Sequence, residues 1–230
     1  SNLLLSEDRV ADFMVEYGLW DIDRPHKLES LPKAIANLKV QLYELVYKSN
    51  QRKEVKAILA NGKKELKNLR EQKSRFSHIT PEGNAAISKL YYLVGASLYH
   101  YHVDRKVYKS DKWIDAPNSI IHDVIIQYNK SFLEESIYRE LARTEPWRSI
   151  WNASKNDSLF GIPSINLSDE QKNLVFWSRL YDNIYENPDC PDDEIVEDDD
   201  LLDGWLISER LKRDKEKLNS EADRIAAKHG

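Results

Sequence analysis

The sequence predicts an all-α fold: an N-terminal coiled-coil-like helical hairpin packed on or projecting from a helical body, with a charged C-terminal helix. Apolar residues recur three and four positions apart, the spacing of one helix face rather than of a strand. Seven Gly and eight Pro in 230 residues leave little material for the turns of an all-β fold. The abundant Leu, Lys, Glu and Ala favour helix. At 41% hydrophobic the chain can bury a core in one domain, or in one domain plus an extension.

Along the chain, Ser6 is placed to cap a first helix whose apolar positions are Val10, Phe13, Met14 and Tyr17, and Gly18 to end it. Trp20 to Glu29 reads as a linker. A second helix is expected from Ser30, with Pro32 in its first turn and a heptad seam Leu31, Ile35, Leu38, Leu42, Leu45. After a weak point at Ser49-Asn50 the alternation resumes as Val55, Leu59, Gly62, Leu66, Leu69, Lys73, Phe76, with Gly62 and Lys73 as poor seam residues. Leu31 to Phe76 is therefore a helical hairpin, or alternatively one long helix.

Thr80-Pro81-Glu82 is a helix start, followed by an apolar face of Ile87, Leu90, Tyr91, Val94, Leu98 and Tyr101. The stretch from Asn84 to Val103 is nearly uncharged, but Lys89, His100 and His102 interrupt it, so it reads as a buried core helix rather than a membrane span. Residues Asp104 to Pro117 read as a loop. The next helix is expected from Asn118 or Ser119 to about Thr144, carrying Ile121, Val124, Ile125, Tyr128, Leu133, Ile137 and Leu141. Thr144-Glu145-Pro146 restarts a short helix with Trp147, Ile150 and Trp151, and Ser158 to Leu167 is loop. Ser168-Asp169-Glu170-Gln171 has capping-box form and opens a helix with Leu174, Trp177, Tyr181 and Ile184. The last helix, Leu201 to Lys228, is apolar only at its start. The segments are 1–29, an N-terminal helix and linker; 30–78, a basic hairpin; 79–186, the helical body; and 187–230, an acidic loop and charged helix.

The one Cys, Cys190, has no partner within the chain, which excludes an intramolecular disulfide and fits a reducing, cytoplasmic setting. The N-terminus has no signal-peptide pattern, and Ser1-Asn2 reads as a cloning remnant.

Charge is strongly divided. Between Ser30 and Phe76 twelve Lys or Arg face four Glu, whereas Glu186 to Asp203 holds ten acidic residues and no basic one. The net charge of −5 hides this dipole. A basic hairpin can bind nucleic-acid phosphates, and Lys63, Lys64, Lys67, Arg70, Lys73 and Arg75 are the candidates. The plainer reading is a solvated face neutralised by the acidic segment of the same or another copy. That acidic segment is not a calcium loop: with Asp199 first and Gly204 sixth, the third and twelfth positions are Leu201 and Arg210.

His100, His122-Asp123 and Asp182 resemble the His, His-Asp, Asp order of the HD-type metal phosphohydrolases, which are also helical. The resemblance implies a metal-dependent hydrolase centred on His122 and Asp123. The chain departs from that pattern in lacking the Gly-Lys after the doublet. His100 and His102 point apart on a helix. No Gly-x-Ser-x-Gly, phosphate-binding Gly-rich loop or Cys-x-x-Cys occurs, so no catalytic residue, cofactor or metal is assigned.

Six Trp and twelve Tyr supply core and candidate contact surface. The segment Arg139 to Trp151, with Trp177-Ser178, Tyr181-Asp182 and Asp198 to Trp205, resembles uncharacterised structural or assembly proteins of large tailed bacteriophages. That resemblance covers mainly the C-terminal half and implies a protein–protein role in a viral setting, in host cytoplasm or virion. The leading expectation is a scaffold or assembly protein. Leu38, Leu42, Leu45, Leu66 and Leu69 would form the hairpin seam or a self-association surface, Trp147 and Trp151 a contact cluster, and Trp205 and Leu206 the anchor of the last helix.

Overall fold

The computed structural model describes residues 4–100, 105–107, 118–155, 161 and 163–229. Ten α-helices run in chain order among them: α1 (Val10–Glu16), α2 (Arg24–Glu44), α3 (Ser49–Ser74), α4 (Pro81–Ser97), α5 (Asn118–Ser131), α6 (Glu135–Arg143), α7 (Trp147–Ser154), α8 (Asp169–Tyr185), α9 (Asp193–Glu197) and α10 (Asp199–His229). No strand occurs among the described residues, only an isolated bridge between Tyr99 and Lys106. The fold is all-α, and no described helix is long and apolar enough to cross a membrane. Tyr101, His102, Val103, most of the expected loop at Asp104 to Pro117, and residues 158–160 and 162 of the expected loop at Ser158 to Leu167 lie outside the described residues.

The chain divides into two compact units, Ser1–Leu28 with Lys67–Leu133, and Glu29–Leu66 with Glu134–Gly230. In the first, α1 ends as expected at Gly18, whose φ of 69° suits the left-handed position of a helix stop. The Gly18 amide donates to Val15 and the Leu19 amide to Met14, which pairs off the last carbonyls of the helix. Ser6 precedes a 3₁₀ turn, Glu7–Arg9, and its side chain makes no capping bond. Val10, Met14 and Trp20 are buried, and the Trp20 indole donates to Gln72 at 2.8 Å. Thr80 caps α4 by accepting from the Gly83 amide, and Gly83 is required there because a β-carbon would fall 2.6 Å from the Ser77 carbonyl carbon. Val94 of α4 packs with Ile121 and Ile125 of α5.

In the second unit one large core joins Leu42, Val46 and Leu59 of the hairpin region to Ala142, Tyr181, Ile184, Ile195, Val196, Leu201, Leu202 and Trp205. Gly62, poor as a seam residue, faces Ile35: a β-carbon there would meet its side chain at 3.6 Å. The capping box at the start of α8 is complete, with Ser168 and Gln171 each accepting from the other's backbone amide.

The structure corrects two boundaries. The expected linker before Ser30 is partly helical: α2 starts at Arg24 and carries Pro32 inside it. Pro25 provides the first-turn proline that Pro32 was expected to be. The helix expected from Asn118 to Thr144 is two helices, broken where Glu134 is extended. The break falls where the chain passes from one unit to the other: Ile121 and Ile125 of α5 are buried in the first unit, and Tyr138, Arg139 and Ala142 of α6 in the second. Leu133, Ile137 and Leu141, expected inside, are about 40% exposed.

Candidate functional site

Three arrangements concentrate chemistry. The first is the acidic segment, which folds onto the basic residues of its own chain in the second unit. Lys56 pairs with Asp198 at 2.7 Å, Lys63 with Asp200, Arg52 with Glu194, and Tyr47 donates to Asp192. Lys39 of α2 pairs with Asp203 and lies 3.5 Å from Asp200. From the other side Arg139 reaches Asp203 at 2.9 Å, and Arg143 reaches Asp199 at 2.6 Å. Arg139 is buried, and its guanidinium lies 4.7 Å from the Trp177 ring centre. Its Nε is 3.2 Å from Asp199 Oδ1 but off line for a hydrogen bond, so the contact is electrostatic.

Burial pushes the Asp203 carboxyl up, but Arg139 and Lys39 outweigh it and hold the group below its ordinary 3.8. At Asp198, too, burial opposes and Lys56 outweighs it, so this group also lies below 3.8. The same carboxylates press on Arg139: burial alone would lower its pKa, and Asp203 with Asp199 raises it. This is a structural ion network, in which Asp198 and Asp203 are held as carboxylates and Arg139 as a guanidinium.

The second arrangement centres on Asp182. Its carboxylate accepts from Trp151 Nε1 and Arg148 Nη2, both at 2.7 Å, and from Lys155 Nζ at 3.2 Å. Trp147 Nε1 donates to Ser178 Oγ at 2.7 Å. Trp151 is 1% exposed. Burial again opposes, and Arg148, Trp151 and Lys155 hold Asp182 below 3.8.

The third is apolar and lies in the first unit. Leu90, Leu93, Val94, Leu98, Val124 and Tyr128 line a groove of about 310 Å³ between α4 and α5. Leu93, Ile120 and Tyr128 are 46–47% exposed, Ile87 42% and Phe132 38%.

No protein-family model, no curated protein and no solved structure matches this chain closely enough to assign a family or a function.

The residues singled out from the sequence fall in several places. Leu42, Leu66, Leu69, Trp151 and Trp205 are buried, and Leu38, Leu45, Trp147 and Leu206 half-buried. Leu38, Leu42, Trp205 and Leu206 meet in the core of the second unit. Of the basic candidates, Lys63 is paired with Asp200, while Lys64, Lys67, Arg70 and Arg75 are exposed and Lys73 half-buried. None of these last five has an ion pair among the described residues. His122 and Asp123 are exposed, Asp182 is engaged in the other unit, and no three His, Cys, Asp or Glu side chains among the described residues are grouped to hold a metal. Sequence reasoning missed Arg139 and Arg143 as counter-charges of the acidic segment. It also missed the α4–α5 groove, whose signal was the lack of charge between Asn84 and Val103.

Proposed function

We propose that this chain is a non-enzymatic structural or assembly protein that acts through protein–protein contacts made by the α4–α5 pair. The observation that carries the reading is the apolar strip between those helices. Two packed helices cannot cover each other completely, and an exposed apolar strip of this kind is where a partner's apolar side chains would be buried. The ion network and the Asp182 cluster do the opposite: their charged groups are engaged with one another and hold the chain's own helices. The setting is the one implied by the C-terminal resemblance, a tailed-phage particle or its assembly. The test is cross-linking of the protein in the cells that make it, using Lys89 and Lys130 beside the strip. Protein-to-protein cross-links from those two lysines are expected. Cross-links arising from other lysines but never from these would overturn the assignment of the surface.

A second reading is favoured by one observation. The basic residues of α3 separate into Arg52, Lys56 and Lys63, which have acidic partners, and Lys67, Arg70, Lys73 and Arg75, which have none among the described residues. The second set would bind nucleic-acid phosphates, with an affinity that falls steeply as salt rises.

A further inference from the structure

We infer that the nucleic acid taken by Lys67, Arg70, Lys73 and Arg75 is single-stranded, with a base stacked on the exposed ring of Tyr17. The inference rests on the second reading above and names its substrate class.

Three of the cations stand in a row. Lys67, Arg70 and Lys73 follow one another at steps of three residues on α3, and Phe76 comes at the same step in the turn that closes the helix, its amide donating to the Lys73 carbonyl at 3.1 Å. Residues three apart are neighbours on a helix surface, about 5–6 Å between β-carbons. The row therefore offers a positive charge at each step and ends at an aromatic ring. From Lys67 to Phe76 the one acid is Glu71, so the stretch is clearly basic.

That ring belongs to a stacking platform in the same unit. The Phe76 ring centre is 6.2 Å from that of Phe13, and Phe13 is 4.5 Å from Tyr17. Phe13 and Phe76 are half-buried, whereas Tyr17 is 66% exposed. Tyr17 closes α1, its amide donating to the Phe13 carbonyl at 3.0 Å, so the backbone that carries the exposed ring is held in place. The same helix flanks the row: Val10 lines a groove of about 400 Å³ together with Arg70 and Lys73. Glu7 and Glu82 line it too and offset those two cations, so the phosphate path follows the row and not the groove.

Cations joined to an open ring distinguish one nucleic acid from another. In a duplex the bases are stacked on their neighbours, and the cations reach phosphates only. A single strand brings the same phosphates and, in addition, unpaired bases whose faces can stack on an aromatic side chain. Every base has such a face, so single strands would be taken with little regard to sequence. A ring already held in place loses little freedom on binding, which preserves its contribution.

The deciding experiment is fluorescence anisotropy of the full chain with a labelled oligothymidylate strand and with a duplex of equal length, each across a salt series. At moderate salt, where the phosphate contribution has shrunk, the single strand should be held more tightly. Tyr17→Ala should weaken single-strand binding by about tenfold or more and leave duplex binding unchanged. Tyr17→Phe keeps the ring and should bind like the parent chain. Four phosphate contacts predict a single-strand salt slope of about −2.8, and Tyr17→Ala should not alter it, because stacking releases no counterions. If Tyr17→Ala loses helix signal in circular dichroism, Tyr17→Leu, which keeps apolar bulk without a ring, replaces it with the same expectation. A duplex held as tightly as the strand at moderate salt, or single-strand binding indifferent to loss of the ring, overturns the inference and leaves the second reading standing. Binding of neither probe at low salt removes both.

Discussion

Gly204 of α10 lies directly against the main chain of Lys39 in α2. A β-carbon on Gly204 would overlap the Lys39 carbonyl oxygen, fall 2.7 Å from its carbon and meet Tyr43 Cβ at 3.0 Å. Those atoms are backbone or next to it, so they cannot swing aside. This close approach lets Leu201, Leu202 and Trp205 reach the core while Asp200 and Asp203 reach Lys39. Gly204→Ala gains about 1 kcal/mol of helix propensity but forces the two helices apart, at a cost of about 1–3 kcal/mol or more. A net loss is expected, read as a fall of a few degrees in the thermal midpoint. An unchanged or higher midpoint would show that α10 does not sit at this distance.

Asp203 offers a second check, because it is the carboxylate shared by Arg139 and Lys39. Asp203→Ala leaves a nearly buried guanidinium with Asp199 and a weaker contact to Glu135, and should cost about 3 kcal/mol in urea unfolding. Replacing both members, Arg139→Met with Asp203→Leu, should recover most of that loss. If the double variant is as unstable as the single one, the pair contributes more than the removal of an unpaired charge explains.

How much of this was legible beforehand depends on the kind of signal. Helix identity was legible because Ile35, Leu38 and Leu42 keep the helical period, and Ser168 with Gln171 writes the capping box into neighbouring positions. The charge imbalance announced that the acidic run would meet a basic face. It did not announce Arg139 and Arg143, which are more than fifty residues from Asp199 and sit on a helix whose buried face was misplaced. Helix phase across the break at Glu134 is a tertiary property, as is the crossing at Gly204, and neither leaves a local mark. The α4–α5 strip was read as core because low charge cannot distinguish a covered face from an open one.

Acid should destabilise the second unit for a specific reason. Asp182, Asp198 and Asp203 are all held below the ordinary value of 3.8 in the folded chain, against the opposing effect of burial. The unfolded chain therefore binds more protons than the folded one near that value, and stability falls as pH drops. The contribution is complete above the unfolded value and is lost as pH falls through the lower folded values. Urea midpoints measured from about pH 7 to about pH 2.5 should hold steady in the upper part of the range and decline below about pH 4. Asp182→Asn should flatten that decline. A midpoint that rises on acidification would contradict the arrangement.

The Asp182 cluster predicts coupling. Trp151 donates its indole N–H to the charged carboxylate, whereas Trp147 donates to the neutral Ser178 hydroxyl. Hydrogen bonds to charged groups contribute about 1.5–3 kcal/mol against about 1 for neutral ones. Trp151→Phe should therefore lose much of its effect when made in an Asp182→Ala background, with a coupling of about 1 kcal/mol or more. Trp147→Phe should cost the same with or without Asp182. Equal, additive losses for Trp151→Phe would separate the indole from the carboxylate.

Nucleic-acid binding, on the second reading, should belong to the part of α3 that the acidic segment leaves uncovered. Four phosphate contacts from Lys67, Arg70, Lys73 and Arg75 predict that the logarithm of duplex affinity falls against the logarithm of salt with a slope of about −3.6. Replacing Lys67 and Arg70 by Gln should lower the slope by about 2. Replacing Lys56 and Lys63 should leave the slope alone and reduce folding stability instead, because those two lysines are engaged by Asp198 and Asp200. The two readouts thus separate a solvated basic face from a functional one. Fluorescence anisotropy with labelled duplex at low salt decides it: absent binding, or binding that ignores salt, assigns the four residues to solvent and leaves the protein–protein strip as the working surface.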